Sequence, residues 1–279
     1  MSAAPTPPSR HIGAGHGLKW LLEALGMVRR WPGAFLSMGL IMAVISLIPY
    51  LGGLAILIMG PALLAGIVTA AETARRGHAP ATHQLFAMFQ ETAQRHEALK
   101  LCLPLVVGKI VAAMVVVVAM LRVMTRLGMD VHALEGHPEK MLAVLADGSM
   151  PGWLALAVAI VLLAWTFTAL AVPRVALRGE EAFVAMGKSF RRVWRSIGAW
   201  IVAAILLFAG LVLLSMLLML THVMAVVQLG LYTALYAVLG PLLHAAWRDL
   251  DSHADSSDKD DCAPPPPPAP PPPSGILEA

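Results

Sequence analysis

Six apolar blocks, none containing an acidic side chain, limit what this chain can fold into. They cover 32–51, 54–71, 101–121, 153–173, 199–220 and 223–246. Each is roughly 18 to 24 residues long, and an α-helix needs about 20 to cross the hydrocarbon of a bilayer. Of the 279 residues, 58% are hydrophobic and 13% charged. A soluble domain carries about 25% charged residues, so these apolar residues exceed what one aqueous core can bury. The blocks predict an all-α, polytopic transmembrane helix bundle of six spans.

Turn residues punctuate the blocks. Gly52-Gly53 predicts the break between the first two spans, and Thr221-His222 the break in the nearly continuous last apolar run. The basic residues test this count independently, because loops retained in the cytoplasm carry an excess of Lys and Arg. With six spans, Arg122, Arg126 and Lys140 fall on one side and Lys109 lies inside the third span; the other sixteen of the 20 basic residues share the opposite side. That bias predicts a multi-pass protein of the bacterial inner membrane with both termini in the cytoplasm. The first residues have no apolar core of the kind a cleavable signal peptide carries, so the spans are expected to direct insertion. Cys102 opens an apolar run and Cys262 lies in the polar tail, so free thiols are expected.

Three stretches read alike. Arg30-Trp-Pro-Gly-Ala-Phe-Leu36, Arg95-His-Glu-Ala-Leu-Lys-Leu101 and Arg195-Ser-Ile-Gly-Ala-Trp-Ile201 each run from an arginine into a span, and each follows an amphipathic segment. The apolar stripes of those segments are Leu18, Leu21, Leu22 and Leu25 in the first, Leu85, Phe86 and Phe89 in the second, and Phe183, Met186, Phe190 and Val193 in the third. The returning spans carry Gly60-Pro61, Val172-Pro173 and Gly240-Pro241 near their cytoplasmic ends. Each unit reads as an interfacial helix, a span out, a turn and a proline-bearing span back, which predicts a threefold internal repeat. Three unrelated hairpins obeying the same membrane physics are the alternative.

A basic amphipathic helix ahead of a span lies in the interface, its arginines on anionic headgroups, or else covers the bundle end or docks a partner. The candidate headgroup contacts are Arg29, Arg30, Lys188, Arg191, Arg192 and Arg195. Trp31, Trp194, Trp200 and Trp247 fall at the expected cytoplasmic boundary and Trp153 at the outer one, as in any aromatic belt.

The stretches Gly13-Ala-Gly15-His-Gly17-Leu-Lys-Trp20-Leu-Leu, Arg30-Trp-Pro32, Gly60-Pro61-Ala-Leu-Leu-Ala-Gly66, Ala185-Met-Gly-Lys-Ser-Phe190 and Trp247-Arg248-Asp249 resemble a family of uncharacterised proteobacterial integral membrane proteins. The resemblance covers residues 13–249. That family is broadly similar to the membrane domains fused to some bacterial glycerophosphodiester phosphodiesterases, but this chain has no phosphodiesterase domain. The resemblance implies a six-span membrane domain and no particular activity or site.

Among residues with chemistry of their own, Lys109 is the one charge well inside a span, and such residues are costly and often functional. All 17 acidic residues lie outside the spans, so no carboxylate is expected beside it, and its stem is long enough to snorkel toward the cytoplasmic side. His222 and His244 cap the last span and fit interfacial hydrogen bonding better than metal or proton chemistry. Asp130, His132, Glu135, His137 and Glu139 share an outer loop without the spacing of a metal site. Neither metal nor cofactor is expected, and no nucleophile–base pair points to an enzyme.

The domain plan is a disordered 1–16, a membrane domain over 17–250 and a disordered tail over 251–279. The tail is first acidic and then proline-rich over 264–273, which favours polyproline II and makes it either a spacer or a docking peptide for a cytoplasmic partner. The expected function is a non-enzymatic structural or accessory membrane protein whose partners are anionic lipids, with no nucleic acid. A small transporter or channel subunit is the alternative.

Overall fold

The computed structural model describes residues 13–90, 92–128, 144, 146–221 and 223–261. These residues are all-helical, with no strand among them. The helices are α1 (Gly15–Arg30), α2 (Pro32–Leu47), α3 (Leu51–Arg75), a 3₁₀ helix (Thr82–Phe86), α4 (Ala87–Gln90), α5 (Thr92–Lys100) and α6 (Leu103–Arg126). They continue with α7 (Met150–Ala169), α8 (Ala171–Arg178), α9 (Ala182–Arg195), α10 (Ile197–Met219) and α11 (Met224–Asp261).

Five helices are long and apolar enough to cross a membrane, and six if α1 and α2, bent by 104° at Trp31, count as one broken span. The bend has a local cause. Pro32 disfavours helical backbone at the residue before it, and Trp31 sits at φ −130° and ψ 57°. Pro32 then opens α2, where its missing N–H costs nothing. The outward surfaces are those of a membrane protein: Phe208, Leu213, Met216 and Leu217 of α10 are each 63–70% exposed. An aqueous protein does not leave so contiguous an apolar face uncovered.

Several boundaries differ from the sequence expectation. The first turn comes at Ile48, Pro49 and Tyr50, not at Gly52-Gly53, because Pro49 pushes Ile48 to ψ 118°, out of the helix. Tyr50 takes φ 60°, and both glycines lie inside α3. The second amphipathic segment is not one helix but the 3₁₀ helix followed by α4 and α5. The fourth block breaks at Leu170, where the Ser189 hydroxyl accepts from the Leu170 N–H at 3.0 Å and donates to the Thr166 carbonyl at 2.7 Å. It thereby occupies the place of the missing i→i−4 bond, a side-chain insertion of the kind that bends helices. Residues 251–261, assigned above to the tail, continue α11. The expected break near Thr221 is present, between α10 and α11.

Centrality is uneven: 56% of the apolar window of α3 is buried, against 6% for α10. Around α3 the surface segments pack in sequence. Helix α1 packs on α10 and α11, the 3₁₀ helix with α4 and α5 on α3, and α9 on α7 and α8. Gly39 sets the close crossing of α2 and α11, since a Cβ there would stand 2.4 Å from the Thr233 carbonyl oxygen. Small residues are what allow membrane helices to approach this closely. Gly39→Leu is expected to cost about 1–3 kcal/mol by overpacking against backbone that cannot step aside. Thermal denaturation in detergent measures it, and an unchanged midpoint contradicts the assigned crossing.

Candidate functional site

The charged residues converge on the end of the bundle where α3 and α8 finish, α11 passes, and α1 and α9 pack. Residues 244–251 of α11 hold this end together through three carboxylate knots.

Asp249 receives bonds from three side chains of α1. His16 Nδ1 lies at 2.7 Å, Lys19 Nζ at 3.1 Å and the buried Trp20 Nε1 at 2.9 Å. Arg248 and Glu23 add an ion pair at 2.5 Å between the same two helices. In the second knot, His244 Nε2 meets Glu72 Oε2 at 2.9 Å, and Glu72 also accepts from Arg75 and Arg76, so α11 is tied to the end of α3.

The third knot is the most cationic. Asp251 accepts from Arg174 Nη2 at 2.7 Å, from Arg192 Nη1 at 2.5 Å and from Arg178 Nη2. Arg174 also donates through Nη1 to Glu180 at 3.0 and 3.2 Å, and Lys188 reaches Glu180 at 3.2 Å. Arg174 is 1% exposed and Asp251 4%, so this is a buried ion network with exposed arms. Burial pushes the Glu180 carboxyl up, but the Lys188 ammonium and the Arg174 guanidinium more than offset it and hold it below the usual carboxylate range. Glu180 therefore stays charged at neutral pH, and the stability it contributes is lost only as pH falls through its lowered pKa.

Arg178 lies over the Trp247 ring at 5.5 Å. Among the described residues the buried Arg174 Nε, His244 Nδ1 and Trp247 Nε1 find no hydrogen-bond partner. Elsewhere, Glu97 Oε2 accepts from the Ala182 N–H at 2.8 Å, giving the first turn of α9 a carboxylate from α5. A shallow depression of about 690 Å³ beside it is lined by His96, Glu97, Leu99, Lys100 and Leu103.

The structure divides the residues singled out in the sequence. Arg29, Arg30, Arg191 and Arg195 are exposed, whereas Lys188 and Arg192 are engaged by Glu180 and Asp251. Lys109 is exposed on α6, beside Val107, Ile110 and Met114 at 55–62% exposure, on an outward apolar face. Four stripe residues, Leu21, Leu85, Met186 and Val193, point into the protein. His222, Cys262, the loop residues Asp130, His132, Glu135, His137 and Glu139, and the 264–273 proline run lie outside the described residues.

Arg174, Asp251, Glu72 and Asp249 were not singled out from sequence. The available signal was an arginine, Arg174, directly after Val172-Pro173 in an otherwise apolar stretch, and two aspartates on the last apolar helix's own periodicity. No protein family, characterised protein or solved structure matches the chain.

Proposed function

We propose that the protein is a non-enzymatic scaffold of the bacterial inner membrane, with six spans, cytoplasmic termini and in-plane helices that hold anionic lipid headgroups. The observation that carries this reading is the outer surface of α1 and α9. On α1, Leu18, Leu22, Leu25 and Arg29 follow helical spacing along one exposed face, opposite the buried Gly17, Trp20, Leu21 and Ala24. On α9, Phe183, Val184 and Trp194 are exposed beside Arg191 and Arg195. An exposed stripe that mixes large apolar side chains with arginines suits the headgroup boundary, where one part enters the acyl region and the other meets phosphate. The 104° bend between α1 and α2 supports an in-plane α1.

The packing order supports a threefold repeat as well. Each surface segment lies on the spans of the preceding unit, with α1 closing the circle on the third. In this reading the three ionic knots lock the scaffold at its cytoplasmic end, and the proline run at 264–273 is the docking peptide for a cytoplasmic protein. Of the features that favour the transporter alternative, the repeat and the proline-bearing helices remain, whereas Lys109 faces outward among apolar neighbours.

Each basic side chain near an anionic surface contributes about 1 kcal/mol. The full chain carrying Arg29→Gln, Arg30→Gln, Arg191→Gln and Arg195→Gln is therefore expected to retain at least tenfold less phosphatidylglycerol in native mass spectrometry. Retention equal to that of the unsubstituted chain rules out the headgroup role.

A further inference from the structure

We propose that Arg178 and Arg192, backed by Arg174 and with Lys188 at the edge, form a binding site for a phosphate group carrying close to two negative charges. The site uses different side chains from the exposed arginines of α1 and α9 and stands independently of their headgroup role.

Charge is the first argument. Among the described residues, four cations, Arg174, Arg178, Lys188 and Arg192, share two carboxylates, Glu180 and Asp251, in one network of ion pairs. The excess is set partly out of water, where like charges repel more strongly than at an open surface. A dianion cancels it, and a neutral or singly charged ligand does not.

Donor geometry is the second. A guanidinium carries five N–H donors in a planar fork. Asp251 Oδ1 is shared by Arg174 and Arg192, and Oδ2 takes Arg178, so the carboxylate occupies one nitrogen of each of the two outer arginines. Among the described residues, no acceptor bonds the Nε or the second Nη of Arg178 and of Arg192. Both side chains are held in place, Arg178 by its stacking over Trp247 and Arg192 by Asp251, so little rotamer entropy is left to lose on binding. Their outer parts are reachable, with Arg178 42%, Arg192 24% and Lys188 49% exposed. Phosphate offers oxygens in the arrangement that paired arginine forks bind bidentately.

The third argument is independent of both. Arg174, 1% exposed, keeps a buried Nε–H with no acceptor among the described residues, and the Nε1–H of Trp247, the ring beneath Arg178, is likewise without one. A buried N–H without a protein acceptor favours an oxyanion within its reach, and the Trp31 and Trp200 indoles share that condition elsewhere.

The same chemistry is presented by inorganic phosphate and by a phosphomonoester headgroup such as that of phosphatidic acid, and the experiment separates them. The full chain is placed in phosphatidylcholine nanodiscs and titrated calorimetrically with inorganic phosphate in chloride buffer. Saturable binding is expected, weakened at least tenfold by Arg178→Gln with Arg192→Gln. Arg178→Lys with Arg192→Lys retains the charge without the fork; it keeps the test decisive if the glutamine variant does not fold, and an intermediate loss is expected. Nanodiscs containing phosphatidic acid then identify the source. Abolition of the phosphate titration assigns the site to the headgroup, and an unchanged titration assigns it to the free anion. Phosphate binding indifferent to both double variants overturns the proposal. So does an absence of phosphate binding together with equal retention of phosphatidic acid by the unsubstituted and doubly substituted chains. Substituting Arg29, Arg30, Arg191 and Arg195 is expected to leave this titration unaltered.

Discussion

Asp251→Asn is expected to destabilise the protein by about 3–5 kcal/mol, the range found when one partner of a buried ion pair is deleted. The substitution preserves shape and removes charge, so three guanidiniums that now share a carboxylate would face one another across a neutral amide. Arg174 bears most of the penalty, being 1% exposed and unable to turn toward water. Arg178 and Arg192 have exposed arms and can swing out, which moderates the loss but unties α8 and α9 from α11. Thermal denaturation of the single variant in detergent gives the size. Adding Arg174→Met is expected to recover part of it, because a buried charge is then replaced by an apolar chain of similar length. A shift within the roughly 0.5 kcal/mol of an ordinary surface change, or no recovery in the double variant, would show that the ions at this end are solvated and not structural.

The same ions show where sequence reading succeeds and where it stops. Span positions were legible because apolar length is a local property: the blocks at 101–121 and 199–220 correspond to α6 and α10 within a few residues. Proline signals were local too, and Ile48-Pro49 was a better stop than Gly52-Gly53, since a glycine pair permits a turn whereas proline restricts the residue before it. The partners of Asp249 and Asp251 were not legible. His16 is 233 positions from Asp249, and Arg174 is 77 from Asp251. No spacing rule connects residues so far apart; only the packing of α1, α8 and α9 around α11 does.

Reading the acidic residues from 251 onward as a disordered tail followed from composition, which does not distinguish a charge facing water from one facing an arginine. It also affected the reading of the arginines. A one-sided basic bias is evidence about orientation, but Arg174, Arg178 and Arg192 contribute to it while serving as internal partners. The count of basic residues therefore overstates the charge available to lipid, and the amphipathic stripes overstate the apolar surface facing it. On α9, Met186 and Val193 pack inward while Phe183 and Trp194 remain outside, so the helix is apolar on two faces and cationic between them. A one-dimensional stripe cannot reveal which of two apolar faces meets protein.

Trp20→Ala is expected to be the most damaging change on α1, at about 3–5 kcal/mol. The indole is fully buried, its ring centroid lies 5.4 Å from that of Trp200 on α10, and its Nε1 donates to Asp249 on α11. One side chain thus joins the helix to both of the spans it rests on. Trp20→Phe separates the two contributions: it keeps an aromatic ring in the cluster and removes the hydrogen bond to a charged acceptor, a loss of about 1.5–3 kcal/mol. If packing dominates, the alanine variant falls well below the phenylalanine variant in melting temperature, and amide exchange across α1 rises selectively in the alanine protein. Equal losses for both variants would place the joint in the Asp249 bond and not in the ring. The close approach of α1 to α10 makes the first outcome the expected one. At Gly17 a Cβ would stand 2.1 Å from the Ala199 carbonyl oxygen, so the two backbones meet closely one turn from Trp20 and the ring is seated between them.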